Sequence, residues 1–161
     1  MIKIGVISDT HDNIPKIKQA IEIFNKKKVS LVIHAGDIVS PFALIPFKEL
    51  KAGFVSIFGN NDGDKLLLKE RAEGRIFHQP YKFEYFDKKI VVMHEPDIVE
   101  ELAISGYYDL IIYGHTHRAK IENINNTLIV NPGEAGGWLY GKATIAIIEL
   151  ENMVTEIIDL I

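Results

Sequence analysis

The sequence predicts a four-layer α-β-β-α fold, on the border of α/β and α+β, in which two mixed β-sheets pack as a sandwich with flanking helices. Three observations lead there. The amino-terminal part repeats a strand–loop–helix unit, which implies a parallel, right-handed β-α-β sheet whose loops gather at one edge. The remainder is richer in hairpins. Only a few helical segments are available to cover the faces, which leaves the two sheets to pack on one another.

Taken in order, Lys3 to Ser8 is a β-branched run that breaks at Asp9-Thr10-His11-Asp12-Asn13. Asn13 is an N-cap candidate with Pro15 in the first turn, and Ile14, Ile17, Ile21 and Phe24 recur at helical spacing until Lys26-Lys27-Lys28. Leu31 to Ile33 is the second strand, ending in His34-Ala35-Gly36-Asp37. Ser40-Pro41 opens a second predicted helix by cap-plus-proline logic, ending near Lys51-Ala52-Gly53. Phe54 to Phe58 is the third strand, followed by Gly59-Asn60-Asn61-Asp62-Gly63 and a helical stretch from Lys65 to Glu73. Tyr81 to Tyr85 and Lys89 to Met93 read as a hairpin over Phe86-Asp87-Lys88, and the second run ends at His94-Glu95-Pro96-Asp97. A short helix from Ile98 to Ile104 is closed by Gly106. Asp109 to Tyr113 is an apolar strand that delivers Gly114-His115-Thr116-His117. Lys120 to Ile124 and Thr127 to Val130 form a hairpin leading to Asn131-Pro132-Gly133-Glu134, and Ala143 to Leu150 with Val154 to Leu160 form the last one.

With 161 residues, 47% of them hydrophobic, the chain suffices for one core and is short for two, so a single domain over 1–161 is expected. Eighteen basic against 22 acidic residues give a net charge of −4 with no basic block, so no nucleic-acid patch and no attraction to an anionic membrane are expected. There is no cysteine, which removes disulfides and thiolate ligands and points to the cytoplasm. The chain enters a strand pattern at once, and no apolar run approaches a membrane span.

Five of these loops follow strands and carry nitrogen or oxygen donors: Asp9 and His11, Asp37, Asn60, His94, and His115 with His117. A His-x-His pair in extended chain places both rings on one side of the backbone. Seven donors without cysteine exceed the needs of one tetrahedral ion, so two divalent metals are the economical reading. Adjacent cations repel, so a carboxylate must bridge them, and Asp37 is the candidate.

Asp9-x-His11, Gly36-Asp37, Gly59-Asn60-x-Asp62, His94 and Gly114-His115-x-His117, in this order, resemble the calcineurin-like metallophosphoesterase superfamily, and the brevity of the chain resembles its small archaeal and bacterial phosphodiesterase branch. The Asn131-Pro132-Gly133 loop extends the likeness over nearly the whole chain. The resemblance implies the same sandwich fold. It implies that Asp9, His11, Asp37 and His117 bind one metal and that Asp37, Asn60, His94 and His115 bind the other. It further implies a dinuclear, metal-dependent phosphodiesterase in which a metal-activated hydroxide attacks a small phosphodiester. Manganese is the leading candidate, with nickel, iron, cobalt and zinc as alternatives; a homo-oligomer is compatible. The alternatives are a phosphomonoesterase, or a scaffold of this fold resembling the retromer subunit that has lost key ligands. A metallo-β-lactamase-like hydrolase would need His-x-His-x-Asp-His, which is absent.

The catalytic candidates are Asn60, Asn61, Asp62 and His94. Asn61 stands where many larger relatives carry a His that protonates the leaving group, and an amide cannot be a general acid, so acidic leaving groups should be favoured. Asp12 and Asp62 have two readings, as acceptors that orient ligand imidazoles or as capping carboxylates. Glu95 and Glu134 occupy positions where relatives often have small residues; they either restrict anionic substrates or face solvent. His34 reads as packed or supporting rather than as a further ligand, and His78 as a surface residue. Trp138-Leu139-Tyr140 reads as aromatic cover of the core, with a lid or interface patch as the alternative. Arg118 and Lys120 read as solvated, Ser8 as packed at a strand end, and Ser40 as a helix cap.

Overall fold

An apolar run on a two-residue period buries both of its faces only if something covers each of them, and that requirement stacks the layers of this protein. The computed structural model describes residues 1–161. In chain order its first half contains β1 (Lys3–Ile7), α1 (Ile14–Lys27), β2 (Leu31–His34), β3 (Gly53–Ile57), α2 (Lys65–Arg71) and β4 (Ile76–Phe77). There follow β5 (Tyr81–Tyr85), β6 (Lys88–Val92), α3 (Val99–Ser105), β7 (Leu110–Ile112), β8 (Lys120–Ile124), β9 (Thr127–Asn131), β10 (Ala143–Glu149) and β11 (Val154–Leu160). One mixed sheet has the order β11-β10-β1-β2-β3-β4, with β1 to β4 parallel and β10 antiparallel to β1. The other has the order β5-β6-β7-β9-β8, with β6, β7 and β9 parallel.

Alternate residues divide the core as the pleat requires. Ile4 and Val6 join Ile33, Ile57, Ile90, Val92, Leu110, Ile112, Leu128 and Val130 between the sheets. Ile7, Val32, Ile145 and Ile147 face outward against Ile17, Ala20, Ile21 and Phe24 of α1 and Leu68 of α2. Val91, Ile111 and Ile129 turn to the other side, where Val99 and Ala103 of α3 cover them. The α-β-β-α sandwich follows from these three clusters.

Two local elements differ from expectation. The predicted helix after Ser40 is a 3-10 helix, Pro41–Glu49, with Pro46 inside it. A proline there has no N–H for an i→i−4 bond, so the α form is disfavoured. Ser40 makes no side-chain cap; its N–H and Oγ both donate to Asp12 Oδ1, at 2.9 and 2.8 Å. The two-residue strand β4 is too short for any periodicity to register, yet its Ile76 is fully buried beside β3. No helix is long and apolar enough to cross a membrane.

Candidate metal centre

The carboxyl ends of β1, β2, β3, β6 and β7 converge, and each releases a polar loop within one or two residues of its last pair. Hydrogen bonds between loops fix the arrangement: Asp9 N–H donates to Gly36 O at 3.0 Å, His11 N–H to Asp37 O at 3.1 Å and Gly114 N–H to His94 O at 3.0 Å. Asp9, His11, Asp37, His115 and His117 all adopt left-handed backbone, φ between 40 and 65°. Such conformations cost free energy in non-glycine residues and persist where the surroundings enforce them.

Two glycines leave room for the carboxylates. A Cβ on Gly59 would collide with Asp37 Oδ1 and lie 2.6 Å from Asp37 N. One on Gly114 would collide with Ser8 Oγ and lie 2.7 Å from Asp9 Oδ2.

Two overlapping groups of donors result. Asp9, His11 and His117 form one, and Asp9, Asp37 and His94 the other, with the potential ligand atoms of each group within 4.8 Å of one another. Asp9 Oδ2 accepts from Ser8 Oγ at 2.6 Å and from His115 N–H at 3.0 Å, while Oδ1 accepts from nothing and lies 3.2, 3.6 and 3.8 Å from Nε2 of His117, His11 and His94. Asp37 Oδ2 is 3.5 Å from His11 Nε2 and 3.3 Å from His94 Nε2, so it too reaches both groups. His94 Nδ1 donates to Ala35 O at 2.7 Å, which aims an unpartnered, buried Nε2 at the two carboxylates. Asn60 and His115 form the exposed wall, Asn60 Oδ1 lying 3.1 Å from His115 Nδ1, and the His115 ring meets the edge of His94 at 5.2 Å between centroids.

The electrostatics are those of a cation site. Burial alone would raise Asp9, but the imidazoles of His11 and His117 facing it, the charge of His94 and the Ser8 hydroxyl hold it well below the usual carboxylate range. Burial likewise opposes ionisation of Asp37, and His94 and Asn61 outweigh it. Burial would lower His94, yet Asp37 and Asp9 raise it to about 9. His117 is raised chiefly by the Asp9 carboxylate 3.2 Å from its Nε2, against burial, with Glu134 assisting. Two buried carboxylates therefore depend on positive charge supplied from within their own cluster. The orphaned Asp9 Oδ1 and His94 Nε2, with hard and borderline donors and no thiolate, fit divalent cations.

The sequence of this centre is recognisable. A family model described as the calcineurin-like phosphoesterase superfamily domain matches residues 2–153. The chain belongs to that superfamily. It is 44% identical over 157 residues to a phosphodiesterase of Methanocaldococcus jannaschii, covering 94% of this chain and 95% of the relative. A solved structure described as a novel archaeal phosphodiesterase superposes with a TM-score of 0.94 at 41% identity, over 99% of this chain and 100% of the other. Vps29 of Entamoeba histolytica superposes with a TM-score of 0.72 at 18% identity, over 99% and 100% of the chains, a likeness of fold alone.

Several supporting residues have roles different from those their sequence position suggests. Asp62 orients no imidazole: it accepts backbone N–H groups of Gly59 at 2.6 Å, Asp37 at 3.1 Å and Val39 at 2.8 Å, and so pins the two ligand loops together. Asp12 holds Ser40. Asn61 clamps Asp37, its N–H on Oδ1 at 2.8 Å and its Nδ2 on Oδ2 at 2.9 Å. Glu134 does not face solvent but is buried behind His117. Trp138, Leu139 and Tyr140 do not cover the core; they are 66, 61 and 51% exposed at the rim of the centre, because the tight chain at Gly136-Gly137 turns them outward. Arg118 stacks over Tyr140 at 4.9 Å beside a cavity of about 260 Å³ that His117, Lys142 and Thr144 also line.

His34 is fully buried. Gly36 N–H donates to its Nδ1 at 3.1 Å, so its Nε2 carries the proton and donates to Thr10 Oγ1 at 3.0 Å. His78 is exposed, and Ser8 packs under Asp9. Sequence reasoning missed Gln79, whose Oε1 accepts from His94 N–H at 2.7 Å and whose amide donates to Glu95 at 2.5 Å. No local signal marks it, since it lies fifteen residues before the histidine it supports.

Proposed function

We propose that this chain is a phosphodiesterase that works with two divalent metal ions, one held by Asp9, His11, His117 and Asp37, the other by Asp37, His94, Asn60 and His115. The observation that carries the reading is the pair of donor groups that share Asp9 at one buried centre, with Asp37 of one group 3.5 Å from His11 of the other; the name of the Methanocaldococcus relative agrees with it. Bound divalent ions would neutralise the phosphate oxygens and lower the pKa of an attacking water. The protein's own contribution is placement. Asp62, Asn61, Ala35 O and Gln79 hold the donors so that little reorganisation is needed when substrate charge arrives. The side open to substrate is lined by exposed Asn60 and His115.

Asn61 also sets the leaving-group preference. Its amide is committed to Asp37 and has no proton to give an alkoxide, so diesters with acidic leaving groups should react faster than alkyl diesters by about 10²–10⁴-fold, the usual worth of general acid catalysis. The test is a panel of aryl and alkyl phosphodiesters assayed with chelated protein reloaded separately with manganese, nickel, iron, cobalt or zinc. Activity that survives thorough chelation and Asp37→Ala refutes the two-metal mechanism. Equal aryl and alkyl rates refute the leaving-group preference alone.

A further inference from the structure

Glu134 is 1% exposed, and no lysine or arginine lies within ion-pair distance of its carboxylate. A carboxylate buried in this way is costly unless every lone pair finds a donor. Oε1 accepts the N–H of Trp138 at 2.8 Å, and Oε2 accepts that of Leu139 at 3.0 Å. The remaining neighbour is the His117 ring: Oε2 lies 3.4 Å from Nδ1, within ion-pair reach of a buried nitrogen that no group hydrogen-bonds. The opposite nitrogen, Nε2, faces Asp9 Oδ1 at 3.2 Å. The loop that Glu134 holds also returns to the centre, because Trp138 Nε1 donates to His11 O at 3.1 Å.

We propose that Glu134 is a positioning residue for His117: its buried carboxylate keeps the ring proton on Nδ1, leaves the Nε2 lone pair for the metal, and ties the Trp138 loop to the occupancy of that site. This rests on the two-metal reading above. The chemistry is one of acceptors. An ionised carboxylate has no hydrogen to offer, so any hydrogen bond with His117 must be donated by Nδ1–H, which fixes the tautomer competent to ligate through Nε2. Glutamine at this position has a single acceptor oxygen, and the amides of Trp138 and Leu139 both compete for it. Its NH2 group is then turned to His117 Nδ1 and donates to it, which sends the imidazole proton to Nε2, the ligating atom.

The competing account makes Glu134 a brace for the tight turn at Gly136-Gly137 and nothing more. Calorimetric titration of chelated protein with zinc separates them, together with the fluorescence of Trp138, the one tryptophan of the chain. For Glu134→Gln the expected result is a loss of about ten- to a hundredfold in affinity at one of the two sites, with the other unchanged. In the wild type, Trp138 emission should shift as the same site fills. Unchanged zinc affinities combined with a lowered Tm would overturn the proposal in favour of the turn brace, as would equal weakening of both sites. Should Glu134→Gln fail to fold, imidazole nitrogen NMR of zinc-loaded wild type decides: His117 ligated through Nε2 with a protonated Nδ1 supports the proposal, and ligation through Nδ1 overturns it. A wild type that binds no zinc while hydrolysing diesters with another divalent ion is retitrated with that ion. A wild type that binds no divalent ion overturns the two-metal reading, and the proposal with it.

Discussion

Gly114→Ala offers a test of how tightly the fold grips Asp9. The added Cβ would overlap Ser8 Oγ and come within 2.7 Å of Asp9 Oδ2 and 3.1 Å of Ser8 Cβ. Ser8 and Asp9 are both fully buried, so neither side chain has space to retreat into. Overpacking of this kind costs about 1–3 kcal/mol. Relieving it means breaking the 2.6 Å bond from Ser8 Oγ to Asp9 Oδ2, and a hydrogen bond to a charged group contributes about 1.5–3 kcal/mol. The two together amount to about 3–6 kcal/mol, which at about 2–4 °C per kcal/mol lowers Tm by about 6–24 °C. Thermal unfolding of the chelated protein measures the stability, and calorimetry with zinc or manganese measures the centre, whose affinity should fall because Asp9 is displaced. Ser8→Ala removes the nearer obstacle, so the double variant should lose less than the two single variants combined. Strict additivity, or a Gly114→Ala protein with unaltered Tm and metal affinity, would refute this account of the site.

Further outcomes follow from other contacts. Burial holds His34 down at about 3, against an ordinary value near 6.5, with Asp9 and Asp37 pulling it up less strongly. The unfolded chain therefore takes up a proton that the folded one refuses; the stability this residue supplies is full above about pH 6.5 and is lost as pH falls towards 3, so denaturant titrations of chelated His34→Gln should show a flatter acid limb than wild type. Phe24→Ala removes a fully buried ring between α1 and the sheet and should cost about 3–5 kcal/mol in urea unfolding, with the donor geometry intact. Asp12→Ala releases Ser40 N–H and Oγ at an exposed position and should cost about 1 kcal/mol while leaving kcat within twofold, whereas a role in orienting a ligand imidazole would lower kcat and metal affinity.

The candidate donors were legible because each lies within five residues of a strand's end, where a period-two pattern breaks into Asp, Asn, Gly and His. Leu110-Ile111-Ile112 followed by Gly114-His115-Thr116-His117 is the clearest case: a strand buried on both faces, then a loop whose polar residues have no core to join. The supporting residues were less legible. Glu134, Gln79 and Asp62 act on partners 17, 15 and 25 residues away along the chain, across strands or layers. Pro46 was visible, but an apolar stretch opening on Ser-Pro reads as an α-helix until its hydrogen bonds are placed.

By itself, the sequence determined the alternation that stacks two sheets between helices, the seven candidate donors, and the absence of thiolate ligands. These are local or compositional properties, and local patterning decides which face of an element is buried. Only the tertiary structure decided that Asp9 and Asp37 both reach the two donor groups, that Asp62 is spent on backbone amides, and that Glu134 lies buried behind His117 while Trp138 stands exposed. The physical reason is distance. A carboxylate's role depends on which donors reach its lone pairs to within about 3 Å, and those donors arrive from loops that meet only when both sheets have closed.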